Sequence, residues 1–157
     1  MKTLISLLLL LTLPAPLPAQ QDLTTNQQRE IRMARKMIND QRNSTLAFNM
    51  SFTKNEKEKF WPLYREYREA MAKAEDNKMA VIFEYSNHVE SMTQSRAKNL
   101  LDRYLAAEKD GIKTKEKYIR RFRRILPETK VFRLMQVESR LDTMVQAKTS
   151  EGIPLME

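Results

Sequence analysis

A chain of 157 residues with no cysteine, two glycines and 31% charged residues leaves out several classes of protein at once. Disulfide scaffolds, thiol chemistry and cysteine-based metal sites are excluded, and little material remains for glycine hairpins or phosphate-cradling loops. The formal net charge of +8 favours acidic partners such as anionic lipid head groups, acidic polysaccharide or unfolded proteins with negative segments.

Residues 1–19 read as a cleaved export leader. Met1-Lys2 supplies a positive end, Leu4 to Leu13 is an apolar run interrupted by Ser6 and Thr12, and Pro14-Ala15-Pro16-Leu17-Pro18-Ala19 ends it at a small residue. The run is too short to span a bilayer, and no cysteine follows it to carry a lipid anchor. Cleavage near Ala19 leaves a net charge of about +7 and makes nucleic acid a poor partner on compartment grounds.

Abundant Glu, Lys, Arg and Ala with ten methionines predict an all-α fold of about four long, antiparallel helices. Residues 20–50 form an N-terminal helical segment from Thr24 or Thr25 towards Phe48, with sparse apolar positions at Ile31, Met33, Ala34, Met37, Ile38, Leu46, Ala47 and Phe48. Its middle, Asn39 to Ser44, is polar on every side, which predicts a break or a frayed, mobile end.

A helical core domain follows over residues 51–148. Thr53 and Glu56 have the spacing of a capping box, with Phe52 placed to staple onto the first turns. Phe60, Leu63, Tyr64, Tyr67, Met71 and Ala74 recur at spacings of three and four, and the helix is expected to continue through Met79, Val81, Ile82, Phe83 and Tyr85 to about His88. Pro62 removes a hydrogen bond inside it and predicts a kink. Trp61, beside the proline, is expected to anchor helix two against helix four.

The third segment begins near Thr93 and carries Ala97, Leu100, Leu101, Tyr104, Leu105, Ile112, Ile119, Phe122 and Leu126 on its stripe. Gly111 costs about 1 kcal/mol there relative to alanine, so the segment is either one helix with a weak point or two. Pro127 suits the first position of helix four, whose stripe is Val131, Leu134, Met135, Leu141, Met144 and Val145. Residues 149–157 turn polar, and with Gly152 and Pro154 they read as a flexible tail.

Catalysis finds no foothold. The one histidine, His88, has no metal-ligand spacing around it, and seryl nucleophile motifs are missing. The chain reads as a non-enzyme with no catalytic residue, metal or cofactor. The run from Lys113 to Arg124 is sharper: Lys113, Lys115, Lys117, Arg120, Arg121, Arg123 and Arg124 face the single acid Glu116. It is either a positive patch that attracts clients or lipid heads, or a solvated helix face. Met33, Met37, Met71, Met79, Met92, Met135 and Met144, with Tyr64, Tyr67, Phe83 and Tyr85, are either core or an adaptable partner surface. Apolar residues on more than one face of helix two beyond Met79 suggest a surplus for a dimer interface or a client.

Two boxes carry a family resemblance. Phe52-Thr53-Lys54-Asn55-Glu56 leads into Phe60-Trp61-Pro62-Leu63-Tyr64, and Leu126-Pro127-Glu128-Thr129-Lys130 leads into Val131 to Glu138. Together they resemble the Spy/CpxP family of periplasmic helical proteins with Leu-Thr-x-x-Gln boxes. Within it the chain is most similar to the branch described as sensors of extracytoplasmic-function sigma factors, over roughly residues 50 to 147. The first box has Phe for Leu and Glu for Gln, and the second has Pro for Thr and Lys for Gln. The resemblance implies a periplasmic, cradle-like homodimer of kinked helical hairpins. It also implies an ATP-independent chaperone for unfolded or stress-exposed envelope proteins, with a sensor or inhibitory partner of an envelope-stress regulator as the alternative. Contact with a membrane surface is a third option. Client or partner binding is expected from Tyr64, Tyr67, Met71, Phe83, Tyr85, Lys113, Lys117, Arg120, Arg121, Arg123 and Arg124.

Overall fold

Four long helices account for nearly all of the described chain. The computed structural model describes residues 25–151 and Ile153, so the expected leader, residues 1–19, and most of the expected tail lie outside the described residues. The helices are α1 (Thr25–Asn49), α2 (Lys54–Ser86), α3 (Gln94–Phe122) and α4 (Glu128–Ser150), with one 3₁₀ turn, Val89–Ser91, between α2 and α3. No strand occurs among the described residues, and none of the helices there is long and apolar enough to cross a membrane.

Helix starts follow local chemistry. Thr53 caps α2: its hydroxyl accepts from the Glu56 amide, and the Glu56 carboxylate accepts from the Thr53 amide at 2.7 Å. Thr93 caps α3 through the Arg96 amide. Pro127 stands one position earlier than expected, at the cap of α4, where its carbonyl accepts from Lys130 and Val131. In the link from α1 to α2, Ser51 takes a positive φ of 44°, and Lys130 Nζ donates to its carbonyl at 2.9 Å.

The helices are continuous at both positions singled out, Pro62 and Gly111. α2 runs on through Pro62, which is exposed, and the carbonyl it frees belongs to Glu58, an exposed residue one turn back. α3 is likewise continuous across Gly111. A Cβ there would meet Met71 Cε at 3.9 Å and Ala74 Cβ at 4.0 Å, which is ordinary contact. Gly111→Ala is therefore expected to raise stability by about 0.5–1 kcal/mol in chemical denaturation, and a loss would show the backbone here to be strained.

The side-chain pairs define an up-down-up-down order. Glu66 meets Arg121 while Glu84 meets Arg103, so α3 runs antiparallel to α2. Arg42 meets Glu138 and Asp142 while Ser51 meets Lys130, so α4 runs antiparallel to α1. The extensive packing is α2 on α3 and α1 on α4. One end of the bundle is filled by an aromatic stack: Phe60 lies 5.3 Å from Tyr64 and 5.7 Å from Phe122, and Tyr67 lies 5.5 Å from Tyr118. Ile38, Leu46, Met50, Leu134 and Leu141 close around it.

The break expected at Asn39–Ser44 is absent. α1 is one continuous helix that buries Ile31, Ile38, Arg42 and Leu46. The polar stretch holds because the Arg42 guanidinium is buried on carboxylates. The tail reading is shortened too: α4 continues to Ser150, and Thr149 is buried, donating to the Val145 carbonyl.

Candidate functional site

Midway along the bundle the apolar core gives way to charge. Arg42 and Glu138 are 3% and 1% exposed. Glu138 Oε2 accepts from Arg42 at 3.1 Å and from Arg68 at 3.2 Å, while Oε1 accepts from the Tyr64 hydroxyl at 2.6 Å. Arg42 also donates to Asp142 at 2.7 Å and to Asn39 at 2.8 Å. Arg68 continues to Glu75, Arg35 joins Glu75 to Asp76, and Lys115 reaches Asp142. Together these cations and carboxylates tie all four helices to one another.

The electrostatics keep Arg42, Arg68 and Asp142 charged. Burial works against charge on both arginines, yet the carboxylates beside them hold the guanidiniums above the ordinary arginine value. Burial also opposes charge on Asp142, but the Arg42 hydrogen bond and the charges of Arg42 and Lys115 keep its carboxyl below the usual range. Burial, and then the Glu138 charge, push the Tyr64 phenol far up, so Tyr64 is a fixed donor. A fully paired buried network of this kind adds specificity of packing more than net stability.

Beyond the network the four helices part around an open cleft of about 350 Å³. Arg35, Arg42 and Asp142 form its floor. Met71, Ala74, Tyr104, Ala107 and Ile112 make an apolar wall from α2 and α3, and Gln146, Thr149 and Ser150 make a polar wall from α4. Lys78 spans the far side, paired with Glu108 and lying 5.1 Å over the Tyr104 ring. Gly111 keeps the α3 wall low.

The apolar wall does not end at the cleft. Leu101, Leu105 and Ile112 are 58%, 45% and 56% exposed. On an ideal helix they fall within about 40° of one another. Their side of α3 is also the side that sends Lys115 to Asp142, hence the side turned to α4. α4 packs on α1 and leaves this strip open.

The expected binding residues are divided by the structure. Tyr64, Tyr67 and Phe83 are buried within the chain and Tyr85 is half-buried, so the aromatic face of α2 is packed as core, while Met71, also buried, lines the cleft. α3 covers Tyr67 and Met71, while Ile31 and Arg32 of α1 cover Phe83. The surplus of apolar surface is real but sits on α3. In the basic run, Arg121 pairs with Glu66 and Arg123 with Glu128, and Lys117 lies over the Tyr118 ring. Lys113, Arg120 and Arg124 stand exposed without an ion pair among the described residues.

The cap residues meet as one joint. Lys130 donates to Glu56 at 2.6 Å, which joins the second box to the first, and Phe52 packs 4.4 Å from Phe60. Leu126 is buried in the same core. Trp61 packs edge-on against Phe60 and Tyr64 and borders a groove whose other wall is Asn39, Arg42 and Asn43 of α1. His88 lies two residues past the end of α2, which stops at Ser86, and its Nδ1 donates to the Glu84 carbonyl at 2.8 Å.

Sequence reasoning missed Arg42, Glu138 and Asp142. A signal was present: Glu138 stands between Leu134 and Leu141 on the apolar stripe of α4, where a solvated acid has no place. Comparison with models of protein families, with curated proteins and with solved structures finds no match to this chain.

Proposed function

We propose that this chain is a non-catalytic binding protein that seats apolar segments of other proteins in the cleft and along the Leu101–Leu105–Ile112 strip. One observation carries the reading: a bundle closed and aromatic at one end leaves the apolar side chains Leu101, Leu105 and Ile112 of α3 uncovered at the other, interrupted by Glu108, which is paired with Lys78. An amphipathic segment satisfies both walls, its apolar side on α3 and its polar side on Gln146 and Ser150 of α4. Ion pairs at the floor, already satisfied, ask nothing of the ligand, which suits varied occupants. The resemblance of the cap boxes to the Spy/CpxP family supports a periplasmic chaperone of this kind for unfolded envelope proteins, acting without ATP. The homodimer which that resemblance implies would use the same strip.

The test is light scattering of a denatured model client as it refolds beside the chain. Suppression is expected near stoichiometric ratio and is expected to fall several-fold in Leu105→Asp/Ile112→Asp. Both side chains are about half exposed, so the variant should stay folded at a cost of about 1–2 kcal/mol, which a thermal melt checks. No suppression at several-fold excess overturns the reading and favours a docking partner of an envelope-stress sensor instead.

A further inference from the structure

The charge of this chain is not spread over it. Residues 47–66 and 117–135, which make up the aromatic end of the bundle, hold eleven Lys and Arg against four Glu, a net +7 out of the formal +8 of the chain. Three of these cations are taken by local acids: Arg121 by Glu66, Arg123 by Glu128 and Lys130 by Glu56. The other eight, Lys57, Arg120, Arg124 and Arg133 among them, are exposed and have no ion pair among the described residues.

The same end carries the two most exposed large apolar side chains among the described residues, Phe48 at 88% and Phe132 at 65%. They come from opposite ends of the sequence. Lys130 binds the Ser51 carbonyl at 2.9 Å, which fixes the last turn of α1 at the level of the first turns of α4. Phe48 lies three residues before that joint and Phe132 two after it.

We propose that this basic end docks against an anionic lipid surface, with Phe48 and Phe132 entering the head-group boundary between the cations. Each part of the observation narrows the partner. A second copy of the chain is disfavoured because a +7 end repels its own kind. A soluble polyanion satisfies the cations and leaves both phenylalanines in water, whereas a bilayer boundary takes the charges at its head groups and the rings just beneath. The cleft opens towards the other end of the bundle, so a chain held in this way presents it away from the surface. The inference rests on charge and exposed aromatics alone and stands whatever the cleft holds.

The test is sedimentation of the full chain with vesicles of phosphatidylcholine alone and with equal mixtures of phosphatidylcholine and phosphatidylglycerol. Contact through residues 1–13, with Lys2 beside the apolar run, is the same in the parent and in the variants below, so the ratio of the two partition coefficients, compared between parent and variants, is the readout. At low salt the ratio is expected to be at least about tenfold, and it should collapse at high salt. Arg120→Glu/Arg124→Glu should lower binding to the mixed vesicles by about tenfold or more. Phe48→Ser/Phe132→Ser should lower it by about tenfold. All four side chains are exposed, and an unchanged thermal melt confirms that each variant is folded. A ratio near one overturns the proposal. So does full binding by the phenylalanine variant alongside loss in the arginine variant, which would assign the end to a soluble polyanion.

Discussion

Glu138→Leu is expected to cost about 3–5 kcal/mol of folding stability, a fall of roughly 10–15 °C in melting temperature for a chain of this size. The leucine fits the stripe between Leu134 and Leu141, so lost volume is not the reason. The carboxylate is the shared acceptor of Arg42, Arg68 and the Tyr64 hydroxyl. Without it, two guanidiniums stay out of water with only Asp142, Asn39 and Glu75 to receive them. Arg42→Met should cost less, since Glu138 then keeps Arg68 and Tyr64, and Asp142 keeps Lys115. Urea denaturation at neutral pH measures both. A Glu138→Leu protein within about 1 kcal/mol of the parent would mean that the network contributes nothing that apolar packing cannot replace.

Phe122→Ala should cost about 3–5 kcal/mol, while Phe132→Ala should stay within about 0.5 kcal/mol of the parent. The two phenylalanines are ten positions apart in sequence and opposite in burial. Phe122 ends α3 fully enclosed, 5.7 Å from Phe60 and 5.8 Å from Tyr67, and its carbonyl accepts from the Leu126 amide to turn the chain into α4. Truncation leaves a void among rings that are themselves packed on one another and cannot collapse into it. Phe132 touches no such core, and its removal leaves the fold alone. Equal costs at the two positions would show that the aromatic end is packed differently from the arrangement described.

Much of the architecture is written in local sequence. Thr53 with Glu56, Thr93 and Pro127 mark three helix starts because each effect acts within one turn. The stripes of α2 and α4 are legible because a helix repeats its core face every three or four residues. Arg42 stands four residues from both Ile38 and Leu46, a position on the stripe, but its partner was not legible. Periodicity counts a charged residue as solvent-facing, and the carboxylate that draws this one into the core lies 96 residues away. Tyr64, Tyr67, Met71 and Phe83 were ambiguous between core and binding surface, since period alone does not reveal how many partners a helix will have. In the structure α1 and α3 cover α2, and the face left bare belongs to α3. That outcome depends on α4 siding with α1, a tertiary choice that no window of sequence contains.

That choice also sets an order of assembly. α2 and α3 are joined by the seven residues 87–93 and share contacts that lie close in sequence, so their hairpin closes cheaply and early. α1 is made first yet finds its main partner last, because α4 is the final helix of the chain. Until then Ile38, Arg42 and Leu46 have no complete site to enter. The apolar side chains of α1 that α4 covers, Ile38 and Leu46 among them, are thus the last to leave water, because the loop that must close to bury them is the longest in the bundle.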